Sequence, residues 1–405
     1  MTKTWRLALA GMVCLAVAMG IGRFAFTPLL PMMMADGVVD LAGASWLASA
    51  NYLGYLVGAL ACTFQPWISA RLGRAGVVNG PVWARRGLVA TVLLTLAMAL
   101  HTPALWPGLR FAAGVASAVV FVHGSGWCMS RLAQLGEART GAFIFTGPGI
   151  GIVLSGLAAS AMLALGVSAA LGWSLFGVLA AVLTAVIWRI VDPRDTDTVA
   201  AAPATAAPAE PHGRVEVGLL AVAYGLAGFG YIITATFLPV IAREALPGAA
   251  GLDLFWPLFG VGVVAGALIA SRVSYAGDLR LMLAGCYVVQ AAGVVAGLWS
   301  PSLAGFALGS LLLGLPFTAI TFYALQEVRR IKPLQVSSYV GLLTAMYGIG
   351  QIAGPPLAAA LVKRSGNAGG GFTVSLLVAA GALVLGSVLY VLLAKWHPAR
   401  PAPSR

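Results

Sequence analysis

The sequence predicts an all-α polytopic membrane protein, twelve transmembrane helices arranged as two six-helix bundles related by pseudo-two-fold symmetry. Three observations carry that prediction. The 405 residues are 60% hydrophobic and 9% charged, with a mean hydropathy of +0.94, whereas soluble chains carry about a quarter charged residues. Twelve apolar runs follow one another, each of 18 residues or more, long enough to cross a ~30 Å hydrocarbon core. A glycine–proline pattern also recurs without a gap at a shift of 208 residues.

Taken in order, the runs lie near 7–34, 44–69, 87–105, 107–130, 141–165, 169–190, 215–242, 253–273, 280–299, 302–326, 336–362 and 371–394. The first opens after Lys3 and Arg6, as a signal peptide would. It continues past Arg23 to about Met34 with no small-residue cleavage site, so it reads as a span. The break between the third and fourth, His101 to Pro107, is the least marked. Between the sixth and seventh, Asp192 to Arg214 is polar at its edges and Ala/Pro-rich in the middle, the composition of a solvated linker. The expected organisation is an N-terminal bundle over 1–191, a cytoplasmic linker over 192–214 and a C-terminal bundle over 215–405.

The formal charge of +12 comes from 24 basic residues whose placement alternates. With a cytoplasmic N-terminus, 19 Lys and Arg fall in inner segments and only Arg243, Lys363 and Arg364 in outer ones; Arg23 and Arg110 lie within spans. That bias is the positive-inside pattern, and it predicts cytoplasmic termini in a bacterial inner membrane. It argues against nucleic acid as a partner. Trp5, Trp46, Trp67, Trp106, Trp173, Trp188, Trp256, Trp299 and Trp396 sit near span ends, where interfacial anchors belong. Cys14, Cys62, Cys128 and Cys286 are inside apolar runs, with neither disulfide nor metal spacing. No cofactor is expected, and no nucleophile–base pair in the spans points to an enzyme.

The shift of 208 sets Gly20 on Gly228, Gly22 on Gly230, Pro31 on Pro239, Gly54 on Gly262 and Gly58-Ala59-Leu60 on Gly266-Ala267-Leu268. Fainter echoes pair Phe111-Ala112 with Phe306-Ala307 and Gly149-Ile150-Gly151 with Gly348-Ile349-Gly350. Parallel six-helix repeats around a midplane site are the design of rocking transporters. Gly54 with Gly58, Gly147 with Gly151, Gly262 with Gly266 and Gly350 with Gly354 form GxxxG pairs, which let helices approach closely. Their repetition suggests contacts between the halves.

Arg23 is the leading functional candidate, in Gly20-Ile21-Gly22-Arg23-Phe24 with no acid before Asp36. Its face carries Ala16, Met19, Thr27 and Leu30. It anchors an anionic cargo, or it binds backbone carbonyls freed by Pro28 and Pro31; a charge inside a membrane is functional by default. Arg110, with Gly114, Ser117 and Phe121 on its face, lines the cavity or snorkels outward. Asn51, Tyr52 and Tyr55 form a polar group on the second span. Tyr231, the repeat partner of Arg23, and Thr234 lie on the seventh; Thr344, Tyr347 and Gln351 share a face of the eleventh. Each has interhelical hydrogen bonding as its alternative role. His123 is the one histidine deep in a span, either a proton-coupling group or a buried neutral side chain. All twelve acids fall outside the span centres, with Asp253 and Glu327 nearest. No buried carboxylate is expected, which favours an anionic or neutral cargo.

Several strings resemble the major facilitator superfamily. Ala70-Arg71-Leu72-Gly73-Arg74 is similar to its loop signature after the second helix, with alanine at the usual aspartate. Arg110 to Gly114 resembles the arginine motif of its fourth helix, without the glutamine. Gly147-Pro148-Gly149-Ile150-Gly151 resembles the fifth-helix motif common among exporters, echoed by Gly354-Pro355. The run from Gly20 to Pro31, followed by Asn51 to Gly58, is similar to the YbfB-type branch. The resemblance implies the major facilitator fold, alternating access, and a cavity lined by the first, fourth, seventh and tenth helices. The expected function is transport of a small organic anion or amphipathic solute by a monomer in the bilayer, leaning to export, with or without a coupling proton. A proton-coupled multidrug exporter and a membrane sensor are the alternatives. The expected substrate contacts are Arg23, Thr27, Asn51, Tyr55, Arg110, Ser117, Tyr231, Thr234, Tyr347 and Gln351.

Overall fold

The computed structural model describes residues 2–71, 79–194, 214–272, 278–331 and 336–398. Leu72 to Arg74 of the loop string, and 195–213 of the expected linker, lie outside the described residues. Grouping collinear segments gives twelve rods. In the first half they are α1 (Lys3–Ala35), α2 (Leu41–Arg71), α3 (Gly80–Ala97), α4 (Pro103–Gln134), α5 (Thr140–Ala164) and α6 (Ala169–Ile187). In the second they are α7 (Arg214–Ala245), α8 (Leu252–Arg272), α9 (Leu279–Trp299), α10 (Leu303–Val328), α11 (Val336–Ser365) and α12 (Ala368–Trp396). Among the described residues, eleven are long and apolar enough to cross a membrane. The exception is α3, 18 residues long, whose second turn includes Arg85 and Arg86. It begins seven residues earlier than the apolar run suggested because Asn79 caps it, accepting a hydrogen bond from the Val82 N–H, and Pro81 supplies a first-turn residue with no N–H to satisfy.

Apolar side chains cover the outside of the protein as well as filling its core. Large apolar side chains are exposed along α3 (Leu93), α6 (Val182, Val186), α9 (Val288) and α12 (Leu377, Val384). Polar ones such as Arg23, Asn51, Ser117 and Gln351 are buried. An apolar exterior around buried polar groups suits a bilayer, and the chain is a multi-pass membrane protein.

The repeat is visible in the packing. A Cβ on Gly54 would lie 1.9 Å from the Phe111 carbonyl oxygen and one on Gly58 2.9 Å from Val115, so α2 packs backbone to backbone on α4. In the second half Gly262 would meet the Leu311 oxygen at 2.5 Å and Gly266 the Leu315 oxygen at 1.7 Å, joining α8 to α10 in the same way. Likewise Gly151 abuts Ala16 of α1, and Gly350 abuts Gly225 of α7. The GxxxG pairs therefore knit each half internally, rather than joining the halves as their repetition suggested. A methyl group at Gly54 or Gly266 has nowhere to go, because the neighbour is backbone. Gly54→Ala and Gly266→Ala should each destabilise by about 1–3 kcal/mol or more, read as lower monodisperse yield and an earlier thermal transition.

The halves meet along α2–α11 and α5–α8, and where the last ten residues of α1 pack on α7. At α5–α8, Gly149 and Gly260 lie against each other's backbone. On α1, the Thr27 hydroxyl donates to the Ala235 carbonyl at 2.8 Å; from α2, Tyr52 and Thr236 share a hydrogen bond of 2.9 Å and Ser49 donates to the Ile352 carbonyl at 3.0 Å. These three bonds tie the halves together between mid-depth and the end of the bundle away from the chain termini, the distal end.

One expectation fails. Glu216 and Glu327 are 1% and 0% exposed, buried at the terminal end of the second half rather than in a span centre. Arg280, itself fully buried, donates to Glu216 at 3.0 Å and to Asp278 at 2.7 Å, and its Nε lies 3.5 Å from Glu327. It also donates to the carbonyls of Leu393 and His397, and Arg330 closes the group by donating to Glu327 at 2.5 Å. Acids at the starts and ends of α7, α9 and α10 converge on one arginine, which offsets the cost of burying them.

Candidate functional site

The site begins with a fault in α1. Regular helix runs from Lys3 to Leu15, then loosens: the Gly22 N–H bonds the Val17 carbonyl and the Phe24 N–H the Met19 carbonyl, both five residues back. Such wide turns are rare and frequent at functional sites. Pro28 has no N–H, and the Thr27 N–H turns to Phe24 at 3.2 Å, so the Arg23 carbonyl has no partner within the helix.

Arg110 supplies it. Its guanidinium donates to the Gly22 carbonyl at 3.3 Å and the Arg23 carbonyl at 3.1 Å, and lies 4.9 Å from the Phe26 ring. Arg110 is 2% exposed, so it neither snorkels outward nor points a free charge into a cavity. The carbonyl-binding role weighed for Arg23 is performed by Arg110. Asn51 donates to the Arg110 carbonyl at 2.9 Å, and Ser117 lies within 2.7 Å of the Ala18 carbonyl and 2.9 Å of Ala113. Arg110, Asn51 and Ser117 thus brace the fault from behind. Arg110→Ala should leave two buried carbonyls without donors, at roughly 1–3 kcal/mol each. The expected result is a markedly earlier thermal transition, with little rescue by Arg110→Lys, which lacks the fork.

With its carbonyl held, Arg23 projects its side chain the other way, to the junction of the halves. It lies twelve residues, about 18 Å along the helix, from the distal end of α1. It is 3% exposed. Its Nη2 donates to Gln351 Oε1 of α11 at 2.8 Å, and the Gln351 amide donates in turn to the Tyr231 hydroxyl of α7. The guanidinium carbon sits 4.0 Å from the Tyr55 ring centroid and 5.2 Å from Tyr52. Its Nε is buried without a partner, and no carboxylate pairs with it among the described residues.

Aromatic rings enclose this charge. Tyr231 stacks on Tyr347 at 5.9 Å, Tyr347 on Tyr224 at 4.8 Å, and Phe317 of α10 meets both Tyr231 at 5.1 Å and Phe24 at 6.0 Å. Of the residues singled out from sequence, Arg23, Tyr55, Tyr231, Tyr347 and Gln351 come together. Thr27 is a latch between the halves. Thr234 faces a small apolar void inside the second half, with Gly293, Phe306 and Leu376, and its hydroxyl has no partner. His123 stacks on Trp83 of α3, ring centroids 6.1 Å apart, on a side of α4 remote from Arg110. Sequence reading missed Tyr224, Phe317 and the contact role of Tyr52; in a chain with 16 Phe and 10 Tyr an aromatic is a weak signal alone.

A family model described as the uncharacterised MFS-type transporter YbfB matches residues 15–391. No curated protein matches the chain. Among solved structures, a point mutant of the nucleoside transporter NupG superposes with a TM-score of 0.70 at 15% identity, over 97% of this chain and all of that one. A bacterial homologue of the human lysosomal transporter Spinster, inward-facing and unoccupied, gives 0.69 at 12% identity, over 98% of this chain and 100% of that one. At such identities the likeness is one of fold.

Proposed function

The chain belongs to the YbfB-type family of major facilitator transporters, and from that premise we propose that it moves a small organic anion or amphipathic solute by alternating access, with Arg23 as the partner of the cargo's charge. The observation that carries this reading is the state of Arg23. A guanidinium stays charged at any accessible pH, and at mid-depth its burial costs roughly 2.5–3.5 kcal/mol on insertion scales. Here its partners are a neutral amide oxygen and an aromatic face, and its Nε–H has no acceptor. An anionic group arriving beside it replaces a neutral acceptor with a charged one, a hydrogen bond about twice as strong.

The tyrosines supply flat apolar surface, which suits a cargo with a planar or hydrophobic body. Gln351 belongs to the other half, so binding that draws Arg23 away from it loosens one bond between the halves. Differential affinity of that kind is what a cargo needs to shift a two-state carrier. Cytoplasmic termini, a bacterial inner membrane and a monomer complete the proposal; the Gly147-Pro148 string leans it to export. The proton-coupled multidrug exporter has one observation in its favour, the buried carboxylates Glu216 and Glu327, although they lie in the end cluster rather than beside Arg23.

The test is counterflow in proteoliposomes with labelled organic anions, cations and neutral aromatics. An anion should accumulate against its unlabelled self. Binding without accumulation identifies a sensor, and accumulation of cations alone overturns the assignment of charge.

A further inference from the structure

Outside the central site, a cleft of about 470 Å³ opens at the terminal end of the first half, between the start of α3 and the segment after α6. It is lined by Arg85, Arg189, Asp192, Pro193 and Arg194. Asn79 ties its two walls together, donating to the Pro193 carbonyl at 2.8 Å. Arg85 is positioned twice over: it donates to the Trp188 carbonyl, and its guanidinium carbon lies 4.4 Å from the Trp188 ring centroid. Its Nε is buried with no acceptor. Asp192 uses one carboxylate oxygen on the Arg194 N–H at 3.0 Å. Among the described residues none of the three arginines has an ion-pair partner. Three arginines and one carboxylate therefore line the same cleft, beside the exposed Trp188.

We propose that this cleft binds a phosphate-bearing anion, the headgroup of an anionic phospholipid being the source its position favours. Guanidinium forks match phosphate oxygens bidentately. Basic pockets between membrane helices are where such headgroups bind. An exposed indole beside the cleft, Trp188, is the kind of side chain that anchors a helix end at headgroup depth. Occupancy of the cleft is independent of what the central site carries.

The test follows thermal unfolding of the purified full chain in detergent at constant ionic strength. Dioleoyl-phosphatidylglycerol, dioleoyl-phosphatidylcholine and sodium phosphate are titrated separately. The variants are the double substitution Arg189→Gln with Arg194→Gln and, as a control at the same end, Arg272→Gln. Phosphatidylglycerol should raise the wild-type midpoint where phosphatidylcholine does not. The half-saturating phosphatidylglycerol concentration should rise about 30-fold in the double variant, at two arginines lost, and stay unchanged in Arg272→Gln. A shift with sodium phosphate alone assigns the site to free phosphate; a shift with the lipid alone assigns it to the headgroup. If neither shifts the midpoint, or if wild type and double variant respond equally, the site is not there. Native mass spectrometry of retained phosphatidylglycerol gives the same comparison without relying on unfolding.

Discussion

Arg23→Ala should lower the transport efficiency of an anionic cargo by about 30-fold or more, because truncating one member of a desolvated charge pair costs roughly 2–5 kcal/mol. The measurement is initial uptake into proteoliposomes, with protein reconstitution quantified in parallel. Folding should survive. The change removes a buried charge that has no carboxylate partner and strands only the Gln351 carboxamide, a loss of about 1–3 kcal/mol set against the relief of desolvation. Arg23→Lys keeps the charge but not the planar fork, so its activity should fall between the two. Gln351→Ala should act in the opposite direction on binding. It removes the acceptor that competes with the cargo for Nη2, so the affinity for the anion should rise severalfold while the maximal rate falls, since the bond between α1 and α11 can no longer re-form. Unchanged kinetics in Arg23→Ala would remove this residue from the site altogether.

The largest effect on stability is expected at the other end of the protein. Arg280→Ala strips the shared partner from Glu216, Asp278 and Glu327, of which the two glutamates are 1% and 0% exposed. Leaving a charge buried and unpaired typically costs roughly 3–5 kcal/mol, so the thermal midpoint in detergent should fall by many degrees, well beyond the effect of Arg330→Ala at the half-exposed rim. Acid should erode the same cluster. Burial pushes the Asp278 carboxyl up, but the hydrogen bonds and charge of Arg280 outweigh it and hold the group below its ordinary value of 3.8. A carboxyl depressed in the folded state contributes stability that is complete above its unfolded pKa and is lost as pH falls through the folded one. The midpoint of wild type should therefore drop below about pH 4, and that acid-dependent part should be absent in Asp278→Asn.

The fold was legible because its signals are redundant. Twelve hydrophobic runs, alternating basic ends and a repeat with an unbroken register each point to the same architecture. The repeat also proved to be physical, since Gly54 and Gly262 meet the carbonyls of Phe111 and Leu311 in equivalent places. Arg23, Tyr55, Tyr231, Tyr347 and Gln351 were legible for a simpler reason: polar groups stand out against apolar helices. What escaped were relations that spacing does not encode. The task of Arg110 depends on a wide turn in another helix. Thr234 lies between Tyr231 and Thr236 on one helix, and periodicity could not say which of these hydroxyls faces the other half. Glu216, Arg280 and Glu327 are far apart in the chain, and each alone looks like an ordinary helix end. For the third helix, two arginines in the second turn concealed a start that Asn79 and Pro81 mark.

The unpaired guanidinium at mid-depth has an electrical consequence as well. A permanent positive centre buried where the two halves meet repels protons and metal cations, as arginines do in water-conducting pores. At rest the protein should therefore behave as an insulator, leaving the proton gradient of the host vesicle intact, and Arg23→Ala would weaken that seal even toward ions that are never cargo.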